Sequence, residues 1–293
     1  MTAFVRKPAE QPVLREDWHE NEDGSRLLLL KYPLLECTGI VEHCFTTRLG
    51  GVSTDIFSTM NLSFTRGDEE AAVRENYRRL ARALGAEVGQ FVCSDQTHTV
   101  NVRRVTAADA GKGLTRERDY RDVDGLITDE PGLVLSTFYA DCVPLYVVDP
   151  VHRAIGMSHS GWRGTAARMG AVTLSAMQEA YGTRPEDVVC AVGPSICYEV
   201  SADVADIFAE EFPGHEQEIL AESEKNSVGM AHADKKYQLD LWKANEIIFL
   251  EAGVRKEHLA VTDICTCCNP KLLFSHRASH GKRGNLGGFL YLK

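Results

Sequence analysis

Three residues of the 293-residue sequence have the side chains and the setting to hold a metal ion: His98 in QTHTV, Cys142 in ADCVP and His159 in SHSGWRG. Each stands at the end of a strand-like run or at a bend in one, among Gly, Ser, Thr and Asp. Strand ends beside turns are where sheet proteins place reactive side chains. Two imidazoles and a thiolate form a recognised zinc set, and three protein ligands leave a fourth position for water, as in catalytic rather than closed structural sites. Taken singly, each also reads as a hydrogen-bonded core or surface residue. Asp141, next to Cys142, offers an acid/base group or a partner to a ligand. Adjacent strand side chains face opposite ways, so it reaches the site only through a bend, which Pro144 indicates; otherwise it is a structural Asp.

Two segments offer an anion a place. Arg48 opens Arg48-Leu49-Gly50-Gly51, where glycines let backbone N–H groups approach a ligand that the guanidinium pairs with. The bland alternative is a glycine turn with a solvated Arg. Gly161-Trp162-Arg163-Gly164 follows His159 at a helix start, where unpaired N–H groups favour negative charge; Trp162 equally suits a packing anchor.

Other metal chemistries fare worse. Cys265-Thr266-Cys267-Cys268 resembles half of a zinc knuckle, yet no second pair follows at short spacing, and buried or loop thiols are the simpler expectation. A multicopper centre needs roughly ten His ligands, many in His-x-His pairs. The chain has 10 His in all and no such pair.

The elements that must position these groups alternate in type. SRLLLLKY and IVEHCFTT (40–47) read as strands, and residues 69–84 as an amphipathic helix with Asp68 as N-cap and Gly85 as its stop. FVCSD (91–95) and TVNVRRV (99–105) flank His98, and 107–123 reads as an exposed charged loop. Strands are expected over 125–129, over 132–149 with a bend at Pro144, over 154–160 and over 187–195. Helices follow near 165–181, 202–212 and 240–252, and short strands near LLFSHR and GGFLYL. No repeat or long linker interrupts this order. The expectation is a loose polar arm over 1–24 and a single mixed α/β domain over 25–293.

Composition bounds the function. Hydrophobic residues at 44% and charged residues at 25% describe a globular chain. The net charge of −10, with no basic block, argues against a nucleic-acid binder. No apolar run is long enough to span a membrane and no export signal is evident, so nine cysteines are expected reduced, in a cytoplasmic protein.

In order, QTHTV, DGLITDEPGL, ADCVPLYVVDP, HSGWRG, GPSICYEV, CNPKLLFSHR and GGFLYL resemble the YfiH, or laccase-domain, family, which carries the name multicopper polyphenol oxidase. The resemblance runs from about residue 25 to the last residue. It implies layered mixed β-sheets flanked by helices, an α+β fold similar to a toxin deamidase. It implies zinc on His98, Cys142 and His159, and phosphorolysis of purine nucleosides (adenosine, inosine, guanosine, methylthioadenosine) with adenosine deamination. A link to peptidoglycan-precursor editing also comes with it.

On that reading Cys142 and His159 belong to the catalytic centre and Asp141 is the first candidate for proton transfer. Arg48 and then Arg163 are the candidates for phosphate, and His276 completes the pocket. Thr99, where relatives often have Gly, is expected to narrow access to the metal. The partners implied are a nucleoside and phosphate, and the sequence does not fix an oligomeric state. Two alternatives stay open: a hydrolase or amidase with Cys142 as nucleophile and His159 as base, and a non-enzymatic module stabilised by zinc.

Overall fold

The computed structural model describes residues 3–8, 12–227 and 230–293. In chain order its strands are β1 (Arg15–Glu20), β2 (Arg26–Lys31), β3 (Val41–Thr46), β4 (Phe91–Cys93), β5 (Val102–Arg104), β6 (Gly125–Thr128), β7 (Val134–Tyr139) and β8 (Val143–Asp149). There follow β9 (Ala154–Ser160), β10 (Val189–Val192), β11 (Tyr198–Ser201), β12 (Leu220–Glu222), β13 (Lys236–Leu239), β14 (Leu259–Val261) and β15 (Leu286–Leu292). The helices are α1 (Pro33–Glu36), α2 (Glu70–Leu84), α3 (Trp162–Ala166), α4 (Met169–Tyr181), α5 (Ala202–Glu211), α6 (Glu216–Ile219) and α7 (Leu241–Glu251).

One sheet runs β1-β2-β3-β15-β7-β4 and a second β14-β10-β8-β9-β6-β5, with β11-β13-β12 as a small third. Pairings are antiparallel except β4 with β7, β5 with β6 and β10 with β14. The large sheets face one another. Leu30, Phe45, Tyr139 and Leu290 of the first share one buried cluster with Tyr146, Ile155 and Met157 of the second. The first sheet's outer face carries Leu29, Cys44 and Phe289 against Val73, Tyr77 and Leu80 of α2. The second sheet's outer face carries Leu145 and Val147 against Met169 and Met177 of α4 and Ile248 and Phe249 of α7. The result is a helix–sheet–sheet–helix stack, the layered mixed α/β fold expected. Burial on both faces also explains the unbroken leucines of β2, because neighbours such as Leu29 and Leu30 enter different cores.

Several expectations are corrected. The run 132–149 is two strands in different sheets, not one strand bent at Pro144. The chain crosses between them at Ala140–Cys142, where Asp141 adopts φ +98°, while Pro144 lies inside β8. The helix expected over 165–181 is α3 and α4, divided at Arg168 with φ +60°. No strand forms at LLFSHR. Asp68 does not cap α2 with its side chain; the flanking Glu69 has no cap bond, and Asp68 instead accepts from Asn61 at 2.8 Å. Residues 107–123 are not an open loop, since Lys112 bridges Asp109 and Asp119, and Tyr120 donates to the Cys93 carbonyl.

The N-terminal segment is no loose arm where it is described. Arg6 pairs with Asp263 at 2.8 Å, Val5 N–H donates to Asn269 at 2.7 Å, and β1 joins the first sheet.

Candidate metal and substrate site

Strand register assembles the site. Val143 pairs with Ser160 and Pro144 with His159, so Cys142, just before β8, comes to the end of β9 that carries His159. Gly125 pairs with Ser158, which puts Asp124, just before β6, beside His159. Its backbone carbonyl accepts from His159 N–H at 2.8 Å. The loop carrying His98 then wraps the Asp124 side chain. Its carboxylate accepts from the N–H groups of Thr97 (3.1 Å), His98 (3.1 Å) and Thr99 (2.9 Å), and from the Thr99 hydroxyl (2.9 Å). This cage holds His98 at φ +66°.

The ligand atoms of His98, Cys142 and His159 lie within 4.8 Å of one another, with Cys142 Sγ 3.8 Å from His98 Nε2. His159 Nδ1 is 2.7 Å from Asp124 Oδ1, which leaves Nε2 for a metal, the carboxylate–histidine arrangement that orients a metal ligand. Gly161 makes the closeness possible, because a Cβ there would lie 2.9 Å from His98 Cδ2 and 3.2 Å from Cys142 Sγ. The donor set, the oriented tautomer and the glycine cradle all fit a tetrahedral ion with one open position.

Electrostatics favour the Cys142 thiolate, the form that binds metal, and pair it with a His159 cation whose proton an incoming ion would displace. Burial disfavours the Cys142 thiolate, but the charge and hydrogen bond of His159, then those of His98, outweigh it and bring the thiol down to about 6. Burial likewise opposes the His159 cation, yet Cys142 and Asp124 raise it to about 9. Asp124, buried and disfavoured as an anion by that burial, is held down to about 2 by His159 and the loop N–H groups.

These residues open on a cavity of about 660 Å³, within the range of small-molecule sites. Leu62, Phe64, Tyr77, Phe138, Ile196 and Leu241 supply apolar wall, and Arg66, Arg118, Arg163, Arg277 and Arg283 supply cations. Arg118 is committed to Asp95 and the Ser94 carbonyl. Arg283 is buried at 8% exposure, and among the described residues its guanidinium bonds only to a carbonyl, Gly284 O, and an amide, Asn285 Oδ1. Its Nε has no partner among the described residues. Burial, then the charge of Arg66, press its pKa down to about 10.

The structure gathers most of the residues expected from sequence and displaces some. Arg163 lines the cavity, stacked 4.3 Å over the Trp162 ring. His276 lines it too, its ring held toward the neutral form by burial and the charge of Arg283. Asp141 is in the wall, but its oxygens accept from the Thr266 hydroxyl (2.7 Å) and Arg277 N–H (2.8 Å). Arg48 is not in the wall. It donates to the Ser58 and Pro270 carbonyls and stacks on Phe274, so its guanidinium ties its own loop to the segment over 270–274. Thr99 turns toward Asp124 instead of narrowing the entrance.

Sequence reasoning missed Asp124, Arg66 and Arg283. For Asp124 the available signal was an Asp-Gly pair at the start of a strand. The two arginines sit in glycine-containing loops, TRGD and GKRGN, with no spacing that marks them.

Comparison with known proteins bears on the same region. The family model described as multi-copper polyphenol oxidoreductase laccase matches residues 42–293. A purine nucleoside phosphorylase, YlmD of Bacillus subtilis, is 34% identical over 256 residues, covering 85% of this chain and 87% of the relative. The crystal structure of YlmD from Geobacillus stearothermophilus superposes with TM-score 0.83 at 31% identity, covering 97% of this chain and 100% of that one. The crystal structure of the Bacillus licheniformis protein YfiH gives TM-score 0.81 at 31% identity, covering 91% and 96%.

Proposed function

The chain belongs to the YfiH, or laccase-domain, family, and from that membership we propose that it is a zinc-dependent purine nucleoside phosphorylase. The observation that carries this reading is a single cavity with a three-ligand metal cluster in its wall and, in the same wall, a buried guanidinium with no carboxylate partner among the described residues. A cation so placed is complementary to a bound oxyanion. The three ligands are far too few for a multicopper oxidase.

Phosphorolysis forms a bond from a phosphate oxygen to C1′ of the ribose while the C1′–N9 bond breaks and its electron pair leaves with the purine. Arg283 and Arg66 hold the phosphate, in place of the Arg48 expected from sequence, with Arg163 at the rim. Positioning phosphate and nucleoside together removes the entropic cost of their encounter, and the fixed cations stabilise the charge that develops. The apolar wall formed by Phe64, Phe138, Ile196 and Leu241 accepts the flat base. His276, held toward the neutral form, keeps a ring N–H that donates a hydrogen bond to the departing purine and stabilises its charge without releasing the proton. Asp141, whose oxygens are already engaged, positions Cys142 and Arg277 and does not shuttle protons. His98, Cys142 and His159 would hold the zinc, which when bound supplies a Lewis acid and a water of lowered pKa. That chemistry also suits adenosine deamination.

Zinc-loaded protein incubated with adenosine, with and without phosphate, tests the reading by chromatography. Adenine that appears only with phosphate, and is absent from a Cys142→Ala control, is the expected result. Inosine in both tubes would add deamination. No product from adenosine, inosine, guanosine or methylthioadenosine would overturn the proposal.

One observation favours a second reading: without metal, Cys142 and His159 form a thiolate–imidazolium pair, the activated state of a cysteine hydrolase. Fast alkylation of Cys142 in the protein as isolated supports that reading, and alkylation only after chelation removes it.

A further inference from the structure

Apart from the cluster above, three sulfur atoms meet at the junction of two loops. Cys265 and Cys268 are the ends of a Cys-x-x-Cys turn, and Cys197 arrives from the segment after β10. Cys197 Sγ lies 3.2 Å from Cys265 Sγ and 3.7 Å from Cys268 Sγ, and the three sulfurs lie within 4.8 Å of one another. None is in a disulfide. Tetrahedral zinc with Zn–S bonds of about 2.3 Å sets its sulfurs roughly 3.8 Å apart, close to this spacing.

The backbone is built around the cluster. Ser195 and Cys265 form a β-bridge, and Thr266 N–H donates to the Ser195 carbonyl at 3.0 Å. Cys197 N–H donates to Cys265 Sγ at 3.2 Å. Backbone N–H groups aimed at sulfur favour the thiolate, the form that binds metal. Three neutral thiols gain little from such convergence, since S–H is a weak donor and sulfur a weak acceptor. Cys265 is buried while Cys197 and Cys268 are exposed, so a fourth position would face solvent.

We propose that Cys197, Cys265 and Cys268 form a second metal site, a three-thiolate centre for zinc or a similarly thiophilic divalent ion, separate from the His98–Cys142–His159 cluster. The half-knuckle of the sequence is completed by a residue 68 positions upstream, which no short spacing could reveal. The site also has a structural consequence. The same two loops hold the turn before Cys142: Ile196 N–H donates to the Asp141 carbonyl at 3.0 Å, and Thr266 donates to the Asp141 carboxylate at 2.7 Å. A metal there staples both loops and fixes that turn from behind. The proposal does not depend on the nucleoside reading, because its measurement is metal content and not turnover.

The test uses the full chain purified under reducing conditions, with elemental analysis after zinc loading and gel filtration. Two zinc ions per chain are expected in the wild type, and one each in Cys142→Ser and Cys268→Ser. Cys197→Ser, at an exposed position, repeats the second measurement should Cys268→Ser fold poorly. Titration of the Cys142→Ser variant with cobalt should still produce a sulfur-to-metal charge-transfer band, because of the two clusters only the three-thiolate centre then has sulfur to offer. One zinc per wild-type chain with no such band would overturn the proposal. So would a free-thiol count two short of the nine cysteines in unreduced protein, since the cluster would then be a disulfide pair.

Discussion

Asp124 shows how much of a metal site lies outside its ligands. It touches no ion, yet it accepts from His159 and from the three consecutive N–H groups that shape the His98 loop. Asp124→Asn keeps the shape, but it removes the charge and offers an N–H where the His159 N–H now donates. Zinc affinity, measured by competition with a chromogenic chelator, is expected to fall by roughly 10–100-fold. Arg283→Met, which keeps the apolar stem, should raise KM for phosphate by roughly 10–100-fold, the range of one charged hydrogen-bonding partner. KM for the nucleoside should change far less. Equal losses for both substrates would place Arg283 in the scaffold instead. Chemistry of this kind was half legible in the chain. Types and strand-end positions pointed to His98, Cys142 and His159. Asp124 could not be told from an ordinary turn Asp, because its role rests on pairing between β6 and β9.

At the scale of elements, the readable parts were those whose pattern is set by one buried face. The apolar positions of α2 repeat with helical period because Val73, Tyr77, Leu80 and Leu84 all meet the first sheet. The run 132–149 misled because strands buried on both faces lose their alternation. Nothing in the residues then announces that the chain changes sheets at Asp141. Arg168 at φ +60° divides α3 from α4 equally silently, since a single left-handed Arg leaves no compositional trace. Gly161 at the start of α3 gives an element-level test. Its φ of −72° suits any residue, so Gly161→Ala strains only the space beside His98 and Cys142. The variant should fold normally and lose on the order of tenfold to a hundredfold in kcat/KM through displaced ligands. Normal activity would show that the cradle has slack.

Across the whole molecule, the charge is −10 while the cavity wall holds five arginines, so attraction for an anion is local and not a property of the surface. No helix among the described residues is long and apolar enough to cross a membrane. Global stability carries a pH signature from a residue remote from the chemistry. His43 is buried in the first sheet, and its Nε2 accepts the Tyr32 N–H at 2.8 Å. Burial lowers its pKa from 6.5 to about 4, so the folded state resists a proton that the unfolded chain accepts. Its contribution is complete above pH 6.5 and declines as pH falls toward 4, by at most about 3 kcal/mol. Urea unfolding of metal-free protein across that window should show the decline, and His43→Gln, which can still accept from Tyr32, should flatten it. An unchanged slope in the variant would assign the loss to other groups.

The strand order of the first sheet sets when the protein can become itself. Its fourth strand, β15, lies between β3 and β7, yet among the described strands it comes last in chain order. Until residues 286–292 leave the exit tunnel, β3 and β7 each present a bare row of N–H and C=O groups. The two halves of the inter-sheet core likewise lack the Leu286, Leu290 and Leu292 side chains that join them. Completion of this sheet therefore waits on a strand made long after the two it joins. A nascent chain stalled before Leu286 is an aggregation-prone intermediate that needs protection until its closing strand arrives.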